Sequence, residues 1–283
     1  NLIFCPCYNL QSRMKPIQKK LRFHKILQLL SFCLVLLSCA TTPMGRTQFN
    51  IMPDSEVQQM GLQAFDNLKK KTPISTNAGT NQFVQCVASA ITREVGGDWE
   101  VVVFQDDSLN AFALPGNKIG VYTGLVRLVD NQDQLATVIG HEVAHVLSHH
   151  SSERMSQEYA VKQSMSLIQA LGAPQSALGQ TAMGLLGVGA QYGVLLPYSR
   201  LHESEADLYG LKLMAKAGFD PRESIQLWQK MDQASRGQQP AEFLSTHPSH
   251  DTRIEDLQKL MPEALKLREQ ALTSGKRPNC QKK

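Results

Sequence analysis

The stretch that most constrains this 283-residue chain is Thr137-Val-Ile-Gly-His-Glu-Val-Ala-His-Val-Leu-Ser-His-His150. It contains no proline. Apolar residues in and just before it (Leu135, Val138, Ile139, Val143 and Val146) recur at steps of three and four, the period of a helix. On a helix, His141 and His145 stand one turn apart on one face, with Cβ atoms roughly 5–6 Å from each other. Both imidazoles can therefore hold a single zinc ion. Glu142 follows the first of them, close enough to act on a water rather than on the metal. The residue types suit amide hydrolysis, in which zinc acidifies a water and polarises a carbonyl while a carboxylate takes the proton. One Glu and two His in an otherwise apolar helix would be costly to bury without partners, which argues against an accidental match.

A catalytic zinc needs a third protein ligand and an open fourth position. The extension H-E-x-x-H-x-x-G-x-x-H fails here, because Ser148 and Ser151 stand at its Gly and third-His positions. The better candidate is Ser199-Arg-Leu-His-Glu-Ser-Glu-Ala-Asp207. Glu203 and Asp207 are an i, i+4 pair on an expected helix. Glu203 could complete the metal sphere, and Asp207 could hold the outer ring N–H of a ligand histidine. Glu205 lies about 200° around the helix from Glu203, so both cannot face the metal.

With both motifs in view, the chain resembles the gluzincin peptidases of metallopeptidase family forty-eight, which include prenyl-protein endopeptidases and the heat-shock protease HtpX. Two further stretches carry the likeness. Asn110-Ala-Phe-Ala-Leu-Pro-Gly-Asn-Lys-Ile-Gly-Val-Tyr-Thr-Gly124 resembles the family's N-A-F-A-x-P-G-G-x-I strand pair, with Asn117 in place of the second Gly. Ser245-Thr-His-Pro-Ser-His-Asp-Thr-Arg253 resembles its T-H-P-x-x-x-x-R segment. The likeness spans roughly residues 55–265 and is nearest to the compact periplasmic lipoproteins of the LoiP/YggG type. It implies one zinc ion per chain on His141, His145 and Glu203, with Glu142 catalytic. It also puts one strand beside the cleft as an edge to which an extended substrate could add. His247, before Pro248, is expected at the site in one of two roles. It is either a donor to the developing oxyanion or a fourth ligand that holds the enzyme latent.

The chain begins at Asn1. Met14 is read as the true start of a secretory signal, with Lys15, Lys19, Lys20, Arg22 and Lys25 ahead of the apolar run Ile26–Leu37. Leu36-Leu37-Ser38-Cys39 looks like a bacterial lipobox, so cleavage and lipidation at Cys39 are expected, and Ala40 matches the outer-membrane sorting pattern. Residues 1–38 hold six Lys/Arg and no acid, which leaves 23 basic against 25 acidic residues and a charge of −2 in place of +4. No case for nucleic acid remains. Processing leaves Cys39, Cys86 and Cys280. With Cys39 acylated, Cys86 and Cys280 form the possible intramolecular disulfide.

The expected organisation is a lipidated tether over 39–53, a single metallopeptidase domain over 54–275 and a polar tail over 276–283. Helices are expected over Asp54–Lys71 (capped by Asp54 or Ser55), Asn81–Val95, Asn131–His150 and Ser151–Leu171. Others are expected over Glu203–Lys216, Asp220–Ser235 and Asp251–Ser274. Trp99–Gln105 reads as a buried strand, and Asn110–Leu114 with Lys118–Thr123 as a hairpin around Pro115-Gly116. His149 and His150 are expected to be exposed. The Gly- and Ala-rich segment 172–196 reads as small-residue packing or a flap near the cleft, in preference to a membrane hairpin.

The fold class is α+β, mostly helical, zincin-like with a small sheet. The expected function is a lipid-anchored zinc endopeptidase of the bacterial periplasm, held at the outer membrane. It would act on misfolded or misassembled envelope proteins, with the outer-membrane assembly machinery as a possible partner. The competing class is a chaperone-like lipoprotein that holds extended segments without turnover. Glu142 favours the enzyme, since holding alone needs no base.

Overall fold

In the computed structural model, which describes residues 39–170, 196–235, 243, 247 and 252–282, the chain opens with a two-stranded sheet, β1 (Cys39–Thr41) and β2 (Thr47–Phe49). Helices α1 (Asp54–Lys71) and α2 (Ala78–Thr92) follow, then strands β3 (Glu100–Phe104), β4 (Ala111–Leu114) and β5 (Lys118–Tyr122). The short α3 (Thr123–Leu128) leads into α4 (Gln132–Leu147) and α5 (His150–Ala170). After these come α6 (Leu196–Lys216), α7 (Glu223–Ser235) and α8 (Arg253–Thr273). The class is α+β, helices around one small three-stranded sheet of order β3-β5-β4.

α4 is the axis of the molecule. Every residue from Gln134 to Ala144 is buried, so all its faces are covered. A helix buried all round sits in the middle of a core rather than at its surface. It packs against α6, α2, α7 and strand β4. Asn131 caps it, its side chain accepting from the backbone N–H groups of Asp133 and Gln134. The helix ends at Ser148-His149, where His149 takes a left-handed backbone (φ 49°), and α5 begins at His150. The continuous run expected through His150 therefore ends three residues early, at Leu147.

β3 runs parallel to β5, and β4 runs antiparallel to it with Ala113 opposite Ile119. The outer edge of β3 is covered by residues 73–75, through Ser75 N–H to Val103 O and Gln105 N–H to Pro73 O. β4 keeps its outer edge and turns it toward α4.

Several boundaries differ from expectation for local reasons. α1 has Pro53, not Asp54 or Ser55, at its cap position, with no side-chain cap. α2 starts three residues early because Asn77 accepts from Thr80 N–H. The supposed tether over 39–53 contains the β1–β2 pair, and the tail is no free end. Cys280 is buried, and its N–H donates to Gln132 Oε1. Cys86 and Cys280 are joined by a disulfide, Cα–Cα 5.6 Å, across 194 residues of sequence. Among the described residues no helix is long and apolar enough to cross a membrane. Residues 172–195, where the flap or packing segment was expected, lie outside the described residues.

Candidate active site

α4 and α6 cross closely enough to bring their charged residues together. Two glycines face each other there. A Cβ on Gly140 would meet Gly210 O at 2.9 Å, and one on Gly210 would meet His141 N at 2.7 Å. This approach lays Glu203 and Asp207 of α6 against His141 of α4.

Four side chains then converge. His141 Nε2 is 3.0 Å from His145 Nε2, and 3.3 Å from both Glu203 Oε2 and His247 Nδ1. Glu203 Oε1 is 3.4 Å from His145 Nε2 and 3.1 Å from His247 Nδ1. These separations are close to the edge of a tetrahedron with bonds of zinc–nitrogen length, about 3.3–3.4 Å. The four residues form a group able to hold a metal ion.

The surroundings fit a dication. Glu142, Glu203 and Asp207 are buried carboxylates, and Arg253 is the buried guanidinium beside them. The excess of two negative charges calls for a divalent partner. Burial pushes His141 down, yet the Asp207 and Glu203 carboxylates outweigh it and raise that imidazole to about 10, so positive charge is favoured at this point. Burial drives His145 well below its ordinary value against the pull of Glu203. Glu203 is held far below the carboxylate range: burial would raise it, and the three histidines around it prevail.

Glu142 stands beside the donors. Its Oε2 accepts from Ala113 N–H on β4 at 3.1 Å, while its Oε1 is buried with no hydrogen-bond partner. Burial raises its pKa, opposed by His247 and His141. Asp207 Oδ1 meets His141 Nδ1 at 3.0 Å, and Arg253 Nε donates to Asp207 Oδ2 at 2.6 Å. Arg253 also lies over the Trp228 ring, 4.1 Å from its centroid. The role of Arg253 was not foreseen, although it ends the T-H-P-x-x-x-x-R pattern. His247 is placed by stacking on Phe243, 4.4 Å between centroids, and Phe243 N–H donates to Leu109 O just ahead of β4. His247 Nε2 is 3.5 Å from Glu142 Oε1.

His150 corrects an expectation. It is buried, and its Nδ1 is 2.8 Å from His145 Nδ1, with the left-handed His149 backbone interrupting the helix just ahead of it. His149 is exposed. Glu205 faces away from the four donors, as its position on the helix requires, and meets His150. The side chain of Cys39 lies outside what is described.

An H-E-x-x-H on a core helix, facing a carboxylate and a backing Asp from a second helix, is the site of a zincin-like metallopeptidase. A model of the peptidase family M48 matches residues 75–261, and the chain belongs to that family. Among its relatives, the mitochondrial metalloendopeptidase OMA1 of Schizosaccharomyces pombe is 41% identical, covering 60% of this chain and 49% of the relative. The human metalloendopeptidase OMA1, mitochondrial, is 32% identical over 80% of this chain and 45% of its own length. The beta-barrel assembly-enhancing protease of Escherichia coli is 27% identical over 77% of the chain and 47% of its own length. The chain thus spans about half the length of the curated relatives it matches. They support the family and not the narrower likeness to the LoiP/YggG type.

The relatives also correct the expected location. Those from fungi, animals and plants are mitochondrial, so a bacterial periplasmic, outer-membrane location does not stand. The misreading has a physical source. A basic, acid-free leader is common to secretory signals and organellar transit peptides, and residues 1–38 show that feature. The lipid anchor expected at Cys39 presupposed the periplasm.

Proposed function

We propose that the chain is a zinc-dependent endopeptidase that cuts extended segments of misfolded or misassembled proteins. One zinc ion per chain would be held by His141, His145 and Glu203, with Glu142 as general base. The observation that carries this reading is one cluster, buried at His141 and Glu203 and partly open at His145 and His247, with convergent metal donors and a carboxylate tied by one oxygen to the edge strand. Bound there, zinc would act as a Lewis acid on the scissile carbonyl and lower the pKa of a water. The side chains do the rest. With Oε2 fixed by Ala113, Glu142 Oε1 is the oxygen free to take the proton of the attacking water and pass it to the leaving amine. Its raised pKa moves it toward the range in which a carboxyl can both accept and release a proton. Asp207 keeps the His141 proton on Nδ1 and leaves Nε2 for the metal.

Substrate would lie along β4. Tyr122 N–H donates to Asn110 O, so Asn110, Phe112 and Leu114 turn their backbone groups to β5. Ala111 and Ala113 turn theirs outward, beside Glu142. An extended peptide adding there would be held by backbone hydrogen bonds with little sequence selectivity, which suits a misfolded substrate. The relatives' names are those of proteolytic enzymes and support the same class. The quality-control role, and any partner in membrane-protein assembly, is proposed on that likeness. A chaperone-like holdase is disfavoured by Glu142, whose unbonded Oε1 serves no holding role.

The position of His247 favours the latch over the oxyanion donor. Its Nδ1 stands among the metal donors, where a water or substrate carbonyl would need to be. In this arrangement the chain would be latent while His247 holds that position.

The decisive experiment is Glu142→Gln. The variant should keep stoichiometric zinc and lose hydrolysis of an unfolded protein by about 10²–10⁴-fold. Turnover at the wild-type rate would overturn the assignment of the base.

A further inference from the structure

Behind His145 lies a second buried cluster that peptide hydrolysis does not itself use. His145 turns Nε2 to the metal donors, and its other ring nitrogen, Nδ1, is 2.8 Å from Nδ1 of His150. Two facing nitrogens bond only when one carries a proton and the other does not. A His145 that offers its Nε2 lone pair to a metal keeps its proton on Nδ1. His150 then accepts at Nδ1 and carries its own proton on Nε2. That nitrogen is 3.2 Å from Glu205 Oε2. Glu205 Oε2 accepts in turn from Arg46 Nε at 2.8 Å, and the other arms of Arg46 donate to Glu153 at 2.9 and 2.7 Å. His202 stacks flat on His150, 4.4 Å between centroids and 12° between planes, and meets Glu153 at 2.9 Å. His150, His202, Glu153 and Glu205 are all more than nine-tenths buried.

The two metal-facing histidines of α4 therefore have parallel supports. His141 is backed by Asp207 and then Arg253. His145 is backed by His150, then Glu205, then Arg46. The second chain is one imidazole longer, and it ends outside the helical core, on the residue that enters β2. We propose that His150, Glu205 and Arg46 are positioning residues for His145. They fix its tautomer and ring plane, and so set how tightly zinc is held. Through Arg46 the β1–β2 turn becomes part of the active site.

This inference rests on the zinc reading above, and its test separates the two. Zinc affinity of the purified full chain is measured by competition with a chromophoric chelator. His150→Leu, which removes the acceptor, should weaken zinc by about 10–100-fold. His150→Asn, whose amide oxygen still accepts from His145 Nδ1, should recover most of that loss. Arg46→Ala should lose less, about threefold to tenfold. A purely packing role would shift the unfolding midpoint of the metal-free chain and leave affinity alone. Zinc held by His150→Leu as tightly as by wild type overturns the proposal, and so does equal loss in the Leu and Asn variants. Where His150→Leu does not fold, Arg46→Ala carries the test, and unchanged affinity there overturns the proposal. A wild-type chain that binds no zinc fails the metal reading instead.

Discussion

Glu203 and Glu205 are two residues apart on α6 and serve opposite sides of the site. Glu203 stands among the metal donors, and Glu205 faces His150 and Arg46. Glu203→Ala should therefore weaken zinc binding more than Glu205→Ala, because it removes a donor and leaves Arg253 without one of its carboxylates. Chelator competition on both variants checks this, and the reverse order would mean that the wrong carboxylate has been chosen. His247 gives the sharpest residue-level test because its two roles predict opposite signs. As the latch, its replacement by Ala should raise turnover with zinc retained. A loss of about 10²–10³ in turnover would restore the oxyanion-donor role. Sequence alone left those roles open, since both need only a histidine near the metal, and the choice depends on which nitrogen points where.

Among the elements, the crossing of α4 and α6 sets the geometry. The i, i+4 spacing puts His141 and His145 on one face of α4, and Glu203 and Asp207 on one face of α6. The separation of the two faces is set by Gly140 and Gly210, where backbone meets backbone. Gly210→Ala would put a methyl 2.7 Å from His141 N and 2.9 Å from Gly140 C, and no flexible side chain is there to yield. The expected result is a loss of about 1–3 kcal/mol in stability, as for overpacked cores, together with weaker zinc binding. Denaturant unfolding and chelator competition measure the two effects. A variant unchanged in both would show that the helices part without disturbing the donors. The break at Ser148-His149 was not legible from apolar spacing, because residues 148–154 carry no apolar side chain that could show a change of phase. It decides that His150 folds back onto His145 instead of projecting into solvent.

For the whole molecule, the Cys86–Cys280 disulfide ties α2 to the last residues of the chain. A loop of this length strongly restricts the unfolded chain, so Cys86→Ala should lower stability by about 2–5 kcal/mol, toward the upper end for so long a loop. The unfolding midpoint of wild type should fall on reduction, and that of the variant should not respond; a wild type insensitive to reductant would show that the bond does not carry this stability. The sequence by itself determined what depends on local periodicity and spacing. That covers the helix under His141-Glu142-x-x-His145, the paired carboxylates of α6 and the hairpin around Pro115-Gly116. Tertiary structure alone decided what depends on contacts between distant segments. Arg46 reaches Glu153 and Glu205 across more than a hundred residues. Arg253 neutralises carboxylates on another helix, and His247 puts its Nδ1 and not its Nε2 among the donors. Burial of so many charges in one place is tolerable only when they compensate one another or a bound cation does, and that condition belongs to the assembled core and not to any stretch of the chain.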